Sequence, residues 1–231
     1  MKAVVFDMDG VLFDTEVVCM KAWMAIAEKN GLPDMEEIFP QCIGLNANDS
    51  RQIVLKAYGE DFDYPAFRQQ SSEWLQKYMA ENGLPVKPGA PQILKWLKEA
   101  GYAIGLASST RSSSVYRYLE QSGLKGYFSV VITGDMIEHS KPRPDIYLMA
   151  CDRLGVQPEE AYAIEDSPNG IRSAHAAGMC PIMVPDMIEP DEEMKWLSFL
   201  IRKDLFEVRD YLQQELKSGS SADIGRAEEV E

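Results

Sequence analysis

Short apolar runs alternate with amphipathic segments along most of the chain. The apolar runs cover residues 3–6, 103–107, 130–133, 161–164 and 181–184. Apolar residues at helical spacing lie between them, at residues 91–100, 112–122, 144–154 and 169–177. Strands that alternate with helices in this way predict a parallel sheet covered by helices on both faces.

A glycine follows each of these four predicted helices. These residues are Gly101, Gly123, Gly155 and Gly178. Glycine takes the left-handed conformation without steric penalty, so it is the preferred residue just after a helix. The glycines therefore support the four predicted helix ends.

Residues 15–83 interrupt the alternation, because they offer amphipathic helices and no convincing strand. The predicted helices are residues 17–30, 50–58 and 65–80, and residues 84–89 carry two prolines and a glycine, which is typical of a hinge. We therefore expect an α/β fold with a Rossmann-like parallel-sheet core, residues 1–14 and 84–216, and an inserted α-helical domain, residues 15–83. Residues 217–231 have few apolar side chains and are expected to form a disordered tail.

The composition excludes several classes of partner. The 231 residues carry 23 Lys and Arg against 37 Asp and Glu, a formal net charge of −14. This charge argues against nucleic acid or an anionic membrane surface as a partner, but a phosphorylated small metabolite is compatible with local cations. The four cysteines have no metal-site spacing, and the apolar run at the amino terminus is too short for a signal peptide. We expect a cytoplasmic monomer.

Two carboxylates, Asp7 and Asp9, follow directly after the first predicted strand. Ligands bind at the carboxyl ends of strands in open α/β sheets, so both side chains are predicted to lie at a reaction centre. Two carboxylates this close repel each other unless a cation is present or one of them holds a proton. The alternative interpretation is an ordinary solvated turn.

Three further polar segments follow predicted strands in a fixed order. Ser108 and Ser109 end the second run, Lys141 stands in Ser-Lys-Pro-Arg-Pro-Asp, and Glu165 and Asp166 end the fourth run. Together with the first acidic pair, these segments resemble the four motifs of the haloacid dehalogenase-like superfamily, over about residues 1–216. The nearest subgroup is similar to the β-phosphoglucomutase-like phosphatases. In this family an insert between the first two motifs is a cap that closes over the site and selects substrate.

The resemblance implies a role for each motif residue. Asp7 is the expected nucleophile and forms an aspartyl-phosphate, and Asp9 is the expected general acid and base. Ser108 and the backbone amide of Ser109 are expected to donate to the transferring phosphoryl group, with Lys141 as a fixed cation. A polar loop that caps a helix, or an ordinary surface lysine, would produce parts of the same pattern.

The resemblance also implies a Mg²⁺ site. Its expected ligands are the carboxylate of Asp7, the backbone carbonyl of Asp9 and the carboxylate of Asp166, with Glu165 as a further candidate. The acidic pair at 165–166 has an alternative role as the amino-terminal cap of the following helix.

Three positions favour a phosphatase: Asp9 over a dehalogenase, and Cys19 and Ala47 over a mutase. Asp9 is absent from the dehalogenases of the superfamily, so its presence favours phosphoryl chemistry. The related mutases carry a histidine and an arginine where this chain has Cys19 and Ala47, and Lys77 is the remaining candidate for a substrate cation. The expected function is hydrolysis of small phosphomonoesters such as sugar or nucleoside phosphates. A phosphosugar mutase is the alternative, and a non-catalytic regulatory protein is a more remote one.

Overall fold

A parallel β-sheet forms the centre of the molecule. The computed structural model describes the backbone of residues 1–227 and the side chains of residues 1–218. Within these residues six strands pair in the order β3-β2-β1-β4-β5-β6, and every pair is parallel. The strands are β1 (Ala3–Phe6), β2 (Ala103–Ser108), β3 (Val130–Thr133), β4 (Ala161–Glu165), β5 (Cys180–Met183) and β6 (Leu200–Ile201).

Helices cover both faces of the sheet. They are α5 (Ala90–Glu99), α6 (Ser112–Gln121), α7 (Asp145–Leu154), α8 (Pro168–Ala176), α9 (Glu192–Leu197) and α10 (Leu205–Ala227). Successive side chains of a strand point to opposite faces. Val4 and Phe6 of β1 accordingly pack in one apolar cluster with α5, α6 and α10, whereas Ala3 and Val5 pack in a second cluster with α7 and α8. The central strand is buried on both sides, as the continuous apolar run predicts.

A helical insert lies between β1 and β2. It consists of α1 (Thr15–Asn30), α2 (Met35–Cys42), α3 (Ala47–Tyr58) and α4 (Tyr64–Asn82). Trp23 is at the centre of its apolar core, with ring centroids 5.3 Å from Phe39 and 5.2 Å from Phe67, both edge-on. The insert therefore has a hydrophobic core separate from the two clusters that cover the sheet.

Two neighbouring stretches of backbone, residues 12–14 and 85–87, join the insert to the sheet. Asp14 donates its backbone N–H to Pro85, and Lys87 donates its own to Leu12, each at 2.9 Å. The Lys87 ammonium forms ion pairs with Asp14 at 3.3 Å and with Asp186, which follows β5. These contacts hold the start and the end of the insert together at the carboxyl edge of the sheet.

The helical insert of the structure corresponds to the inserted helical domain expected from the sequence. The exact domain boundaries stay a prediction. Helix α1 begins at Thr15, helix α4 ends at Asn82, and the intervening sequence contains α2, which the sequence pattern did not predict. The expected disordered tail falls mostly beyond the side chains described here, and residues 228–231 lie outside the described residues altogether.

Candidate active site

The loop after β1 brings Asp7 to the carboxyl edge of the sheet. The backbone N–H of Asp7 donates to Ile164 of β4 at 2.9 Å, which extends the strand pairing by one residue. Three residues further on, Gly10 has a positive φ of 82°, and a Cβ atom at this position would overlap the Asp166 carboxylate. Glycine is required here both for the turn and for the close approach of Asp166.

Lys141 lies buried between two carboxylates. Its ammonium, only 1% exposed, donates to Asp7, to Glu165 at 2.6 Å and to the carbonyl of Ala107 at 3.2 Å. Burial disfavours the charged ammonium, but the two carboxylates outweigh this effect and hold the pKa of Lys141 above its usual value. Lys141 is therefore a permanently charged cation in direct contact with Asp7.

The carboxylate of Glu165 has hydrogen-bond donors on both oxygens. Its Oε1 accepts from Lys141 and, at 2.5 Å, from the hydroxyl of Tyr147 on α7. Its Oε2 accepts from the N–H of Asp166 at 3.3 Å and from the hydroxyl of Ser167 at 3.4 Å. Four donors account for the usual acceptor capacity of a carboxylate. Glu165 is thus arranged as the counter-ion of Lys141, with little capacity left to bind a metal.

Tyr147 was missed by the sequence analysis. It is fully buried, and its ring centroid lies 5.2 Å from the Lys141 ammonium. Helical periodicity indicates which positions of α7 face the sheet, but it does not indicate that one of them contacts a motif residue 18 positions away in the chain.

Three hydroxyl groups surround Asp9. Thr15 donates to Oδ1 at 2.5 Å, Thr110 donates to Oδ2 at 2.8 Å, and Ser108 approaches the same oxygen at 3.4 Å. Burial nevertheless raises the pKa of Asp9, because the hydrogen bonds only partly oppose desolvation. Asp9 is therefore an orientated carboxyl group that holds a proton more readily than an ordinary aspartate does.

Asp7, Glu165 and Asp166 form a buried acidic cluster. One carboxylate oxygen of each lies within 4.8 Å of the others. Burial is the main cause that raises the pKa of Asp7 to about 8 and that of Asp166 well above its ordinary value, and repulsion from Glu165 adds to both. Three carboxylates that repel one another in a buried site fit a hard cation, for which oxygen is the preferred ligand. Since Glu165 is occupied, Asp7 and Asp166 are the open ligands.

A cavity of about 200 Å³ separates the acidic edge of the sheet from the helical insert. The sheet side of its wall includes Asp7, Asp9, Asp166 and Ser109, whereas Ser108, Glu165 and Lys141 are buried behind the wall. The insert side includes the predicted positions Cys19 and Ala47. The cavity is smaller than the ~300–1,000 Å³ typical of ligand pockets, so it suits a small metabolite.

Lys77, a predicted substrate contact, does not line this cavity. It is exposed, whereas Arg68 on the same helix lines the cavity wall. The two residues are nine positions apart, about two and a half helical turns, so they lie on opposite faces of α4. Among the described residues, the positively charged side chains that line the cavity are Arg68 from α4 and Arg117 from α6, and neither was predicted from the sequence.

The insert contacts the sheet across the cavity. Ser109 donates its hydroxyl to the carbonyl of Gly44 at 3.1 Å, and the Asn169 amide donates to the carbonyl of Ile43 at 3.3 Å. Ser140, next to Lys141, donates to Asp49 of α3. These contacts hold the loop between α2 and α3 against the acidic site, and they leave a small cavity between the two.

Comparisons with known proteins show the family of the chain. The chain matches the model of the haloacid dehalogenase-like hydrolase family over residues 1–178 and belongs to that family. It is 33% identical to the phosphorylated carbohydrates phosphatase of Thermotoga maritima, with 78% of this chain and 82% of that protein covered. It is 31% identical to β-phosphoglucomutase of Bacillus subtilis, with 80% and 83% covered.

The solved structures include similar folds. The crystal structure of CbbY from Rhodobacter sphaeroides in complex with phosphate is similar with a TM-score of 0.74 and 27% identity, and the similarity covers 89% of this chain and 95% of that one. Among the described residues, no helix combines the length and the apolar character needed to span a bilayer.

Proposed function

We propose that this protein is a Mg²⁺-dependent phosphatase that hydrolyses small phosphomonoesters through an aspartyl-phosphate on Asp7. The observation that carries the proposal is the contact of Asp7 with the buried ammonium of Lys141, beside the orientated carboxyl group of Asp9. Enzymes of the family generally use Mg²⁺ and form this intermediate, which supports the same chemistry here.

Asp7 is the proposed nucleophile. It lies in the cavity wall, and its position is restrained by the strand pairing through its N–H and by Lys141 at its carboxylate. A restrained carboxylate meets the phosphorus with little loss of entropy, and covalent capture divides one difficult displacement into two easier steps. Lys141 opposes the effect of burial and favours the ionised form of Asp7, and it helps to offset the charge of the incoming phosphoryl group.

Asp9 is the proposed general acid and base. Its raised pKa allows it to protonate the departing alkoxide while Asp7 attacks. The carboxylate that results then takes a proton from the water that hydrolyses the aspartyl-phosphate. Thr15 and Thr110 donate to different oxygens of the carboxyl group and fix its direction for both half-reactions.

Mg²⁺ is the proposed cofactor, held by Asp7 and Asp166 with the Asp9 carbonyl. When bound, it neutralises the charge on the transferring phosphoryl group and the repulsion between the two carboxylates. Ser108 and the amide of Ser109 are proposed to donate to the phosphoryl oxygens, and of these two only Ser109 reaches the cavity wall directly.

A phosphosugar mutase is the second candidate, because β-phosphoglucomutase is among the relatives. A mutase keeps a bisphosphate in the site until it has reoriented. Arg68 and Arg117 line the cavity and are cations of the kind that a second phosphate would need. Cys19 still favours hydrolysis: burial raises the pKa of its thiol to about 12, which makes it a poor proton carrier near neutral pH.

The experiment that tests the proposal measures two products. Purified protein with Mg²⁺ is given a panel of sugar and nucleoside monophosphates, and inorganic phosphate release is recorded. A parallel assay follows conversion of β-glucose 1-phosphate to glucose 6-phosphate. We expect phosphate release from at least one monoester to exceed isomerisation. Faster isomerisation than release from every monoester would identify a mutase, and no turnover of either kind would contradict both assignments.

A further inference from the structure

The insert side of the cavity contains an arginine without an anionic partner. Arg68 is half-buried, and its guanidinium carbon lies 5.3 Å from the centre of the Trp23 ring. Among the described residues, no carboxylate forms an ion pair with Arg68. A guanidinium offers five N–H donors in a planar arrangement that matches a carboxylate. Stacking on Trp23 directs this group and uses none of its donors; one donor is within hydrogen-bonding reach of the Cys19 thiol, and the others remain for a ligand.

Trp23 adds a second donor without an acceptor. Its side chain is 2% exposed and lines the same cavity, and its indole nitrogen is buried without a hydrogen-bond partner. Nearly all buried polar groups in folded proteins have a partner, so an unpaired N–H beside a cavity requires an explanation. Arg68 and Trp23 together place a cation without an ion pair and a buried N–H without an acceptor on this wall, and such groups bind an anion.

The charge of the cavity distinguishes between two kinds of anion. Asp7, Asp9 and Asp166 occupy the sheet side of the wall, and Glu16 adds a fourth carboxyl group that also lines the cavity. Arg117 from α6 also lines the cavity, but Arg68 is the arginine on the insert side, where a second phosphate would bring up to two further negative charges. A carboxylate brings one, which a single guanidinium balances through a bidentate pair.

We propose that Arg68 and Trp23 form a carboxylate subsite, so that the substrates are phosphorylated hydroxy acids whose acid group lies at the end opposite the phosphate ester. The subsite deepens the proposed phosphatase function and depends on it for the position of the phosphoryl group.

The test uses substrate pairs that differ only in a carboxylate or a hydroxymethyl group. The pairs are glycerate 3-phosphate with glycerol 3-phosphate, and 6-phosphogluconate with glucitol 6-phosphate. Dissociation constants are measured by calorimetry in a chelator, where no turnover is expected, and kcat/KM is measured with Mg²⁺. A charge-assisted pair predicts binding of the acid at least about tenfold tighter than that of its neutral partner, in one pair or both.

Three variants separate the subsite from general damage. Arg68→Met should abolish the preference for the acid, so that acid and neutral partner bind within about twofold of each other. Arg68→Lys, which keeps the charge but loses the bidentate geometry, should retain part of the preference and serves if the methionine variant does not fold. Arg51→Met is the matched control, because Arg51 is an exposed arginine on α3 that does not line the cavity.

Several outcomes would overturn the subsite. These are equal binding of acid and neutral partner in both pairs, a preference that survives in Arg68→Met, and binding of a sugar bisphosphate tighter than that of either acid. The last result would assign the donors to a second phosphate instead. An Arg68-dependent preference in calorimetry without phosphate release from any compound would support the subsite and sink the proposed hydrolysis, so the two failures are distinguishable.

Discussion

Replacement of Tyr147 by phenylalanine tests how the buried charges of the site are held in place. The change removes one hydroxyl group and keeps the ring, so the packing of α7 against the sheet is preserved. Glu165 loses the 2.5 Å hydrogen bond from Tyr147 to Oε1 and keeps the one from Lys141. Both side chains are fully buried, so solvent water does not readily replace the lost donor.

The expected magnitude follows from the charge of the acceptor. A hydrogen bond to a charged group contributes about 1.5–3 kcal/mol to stability. We therefore expect the free energy of unfolding of Tyr147→Phe to fall by about 1.5–3 kcal/mol. Glu165 restrains Lys141, which contacts Asp7. If about 1.4 kcal/mol of the loss is also expressed in the transition state, kcat falls about tenfold.

Two measurements check this prediction. Urea unfolding gives the change in stability, and steady-state phosphate release gives kcat and KM. KM should change little, because Tyr147 does not line the cavity. Tyr116→Phe is the matched control: Tyr116 is 40% exposed on α6 and should change neither quantity. A destabilised variant with unchanged kcat would refute the positioning argument, and an unchanged stability would refute the strength assigned to the hydrogen bond.

Four further predictions follow from the same site. Asp7→Asn should abolish turnover and Asp9→Asn should reduce it nearly as much, with the circular dichroism spectrum unchanged. More than a tenth of the wild-type activity in folded Asp7→Asn, a barrier increase below about 1.4 kcal/mol, would contradict the assignment of the nucleophile. Asp166→Ala should raise the Mg²⁺ concentration needed for half-maximal activity, and Ca²⁺ should inhibit because its coordination is larger and less regular; full activity in a chelator rules out the metal site. Burial raises the pKa of Asp7 to about 8, so between the pKa of the unfolded chain and about 8 the unfolded state binds fewer protons, and the metal-free protein loses stability as the pH rises. The Tm without metal should therefore be lower at about pH 8 than at about pH 5, and Mg²⁺ should raise the Tm more at about pH 8. A metal-free Tm that rises between about pH 5 and pH 8 would contradict this prediction. Gly170→Ala should be destabilising, because its Cβ would overlap the Glu165 carboxylate, and a variant as stable as wild type in urea would show that the carboxylate moves freely.

The five predicted strands all have counterparts in the sheet, at its centre and at one edge. The runs at residues 3–6 and 130–133 coincide with β1 and β3, and the other three predicted strands differ by one residue at one or both ends. Strand β6 was missed because it has only two residues, both half-buried, at the edge of the sheet. Helix α2 was also missed, since it is short and contains a proline at position 40.

The structure brings together the predicted site residues that stand at or beside the ends of neighbouring strands, and their roles stay predictions. Asp7, Asp166 and Lys141 converge because β1 and β4 are neighbours in the sheet and because residues 140–144 lie beside them. Arg68 and Tyr147 could not be identified in this way. Their roles depend on how helices pack in three dimensions, and helical periodicity gives the buried face of a helix without its partners.

The central claim is that a phosphoryl group passes through Asp7, and chemical trapping tests it most directly. Protein is quenched during turnover of a phosphomonoester with Mg²⁺, and borohydride then reduces any aspartyl-phosphate to homoserine, which peptide mass spectrometry locates. We predict homoserine at position 7, dependent on substrate and on Mg²⁺, and none in Asp7→Asn. Continued release of inorganic phosphate with no modified residue, or with the modification at Asp9, would contradict the account.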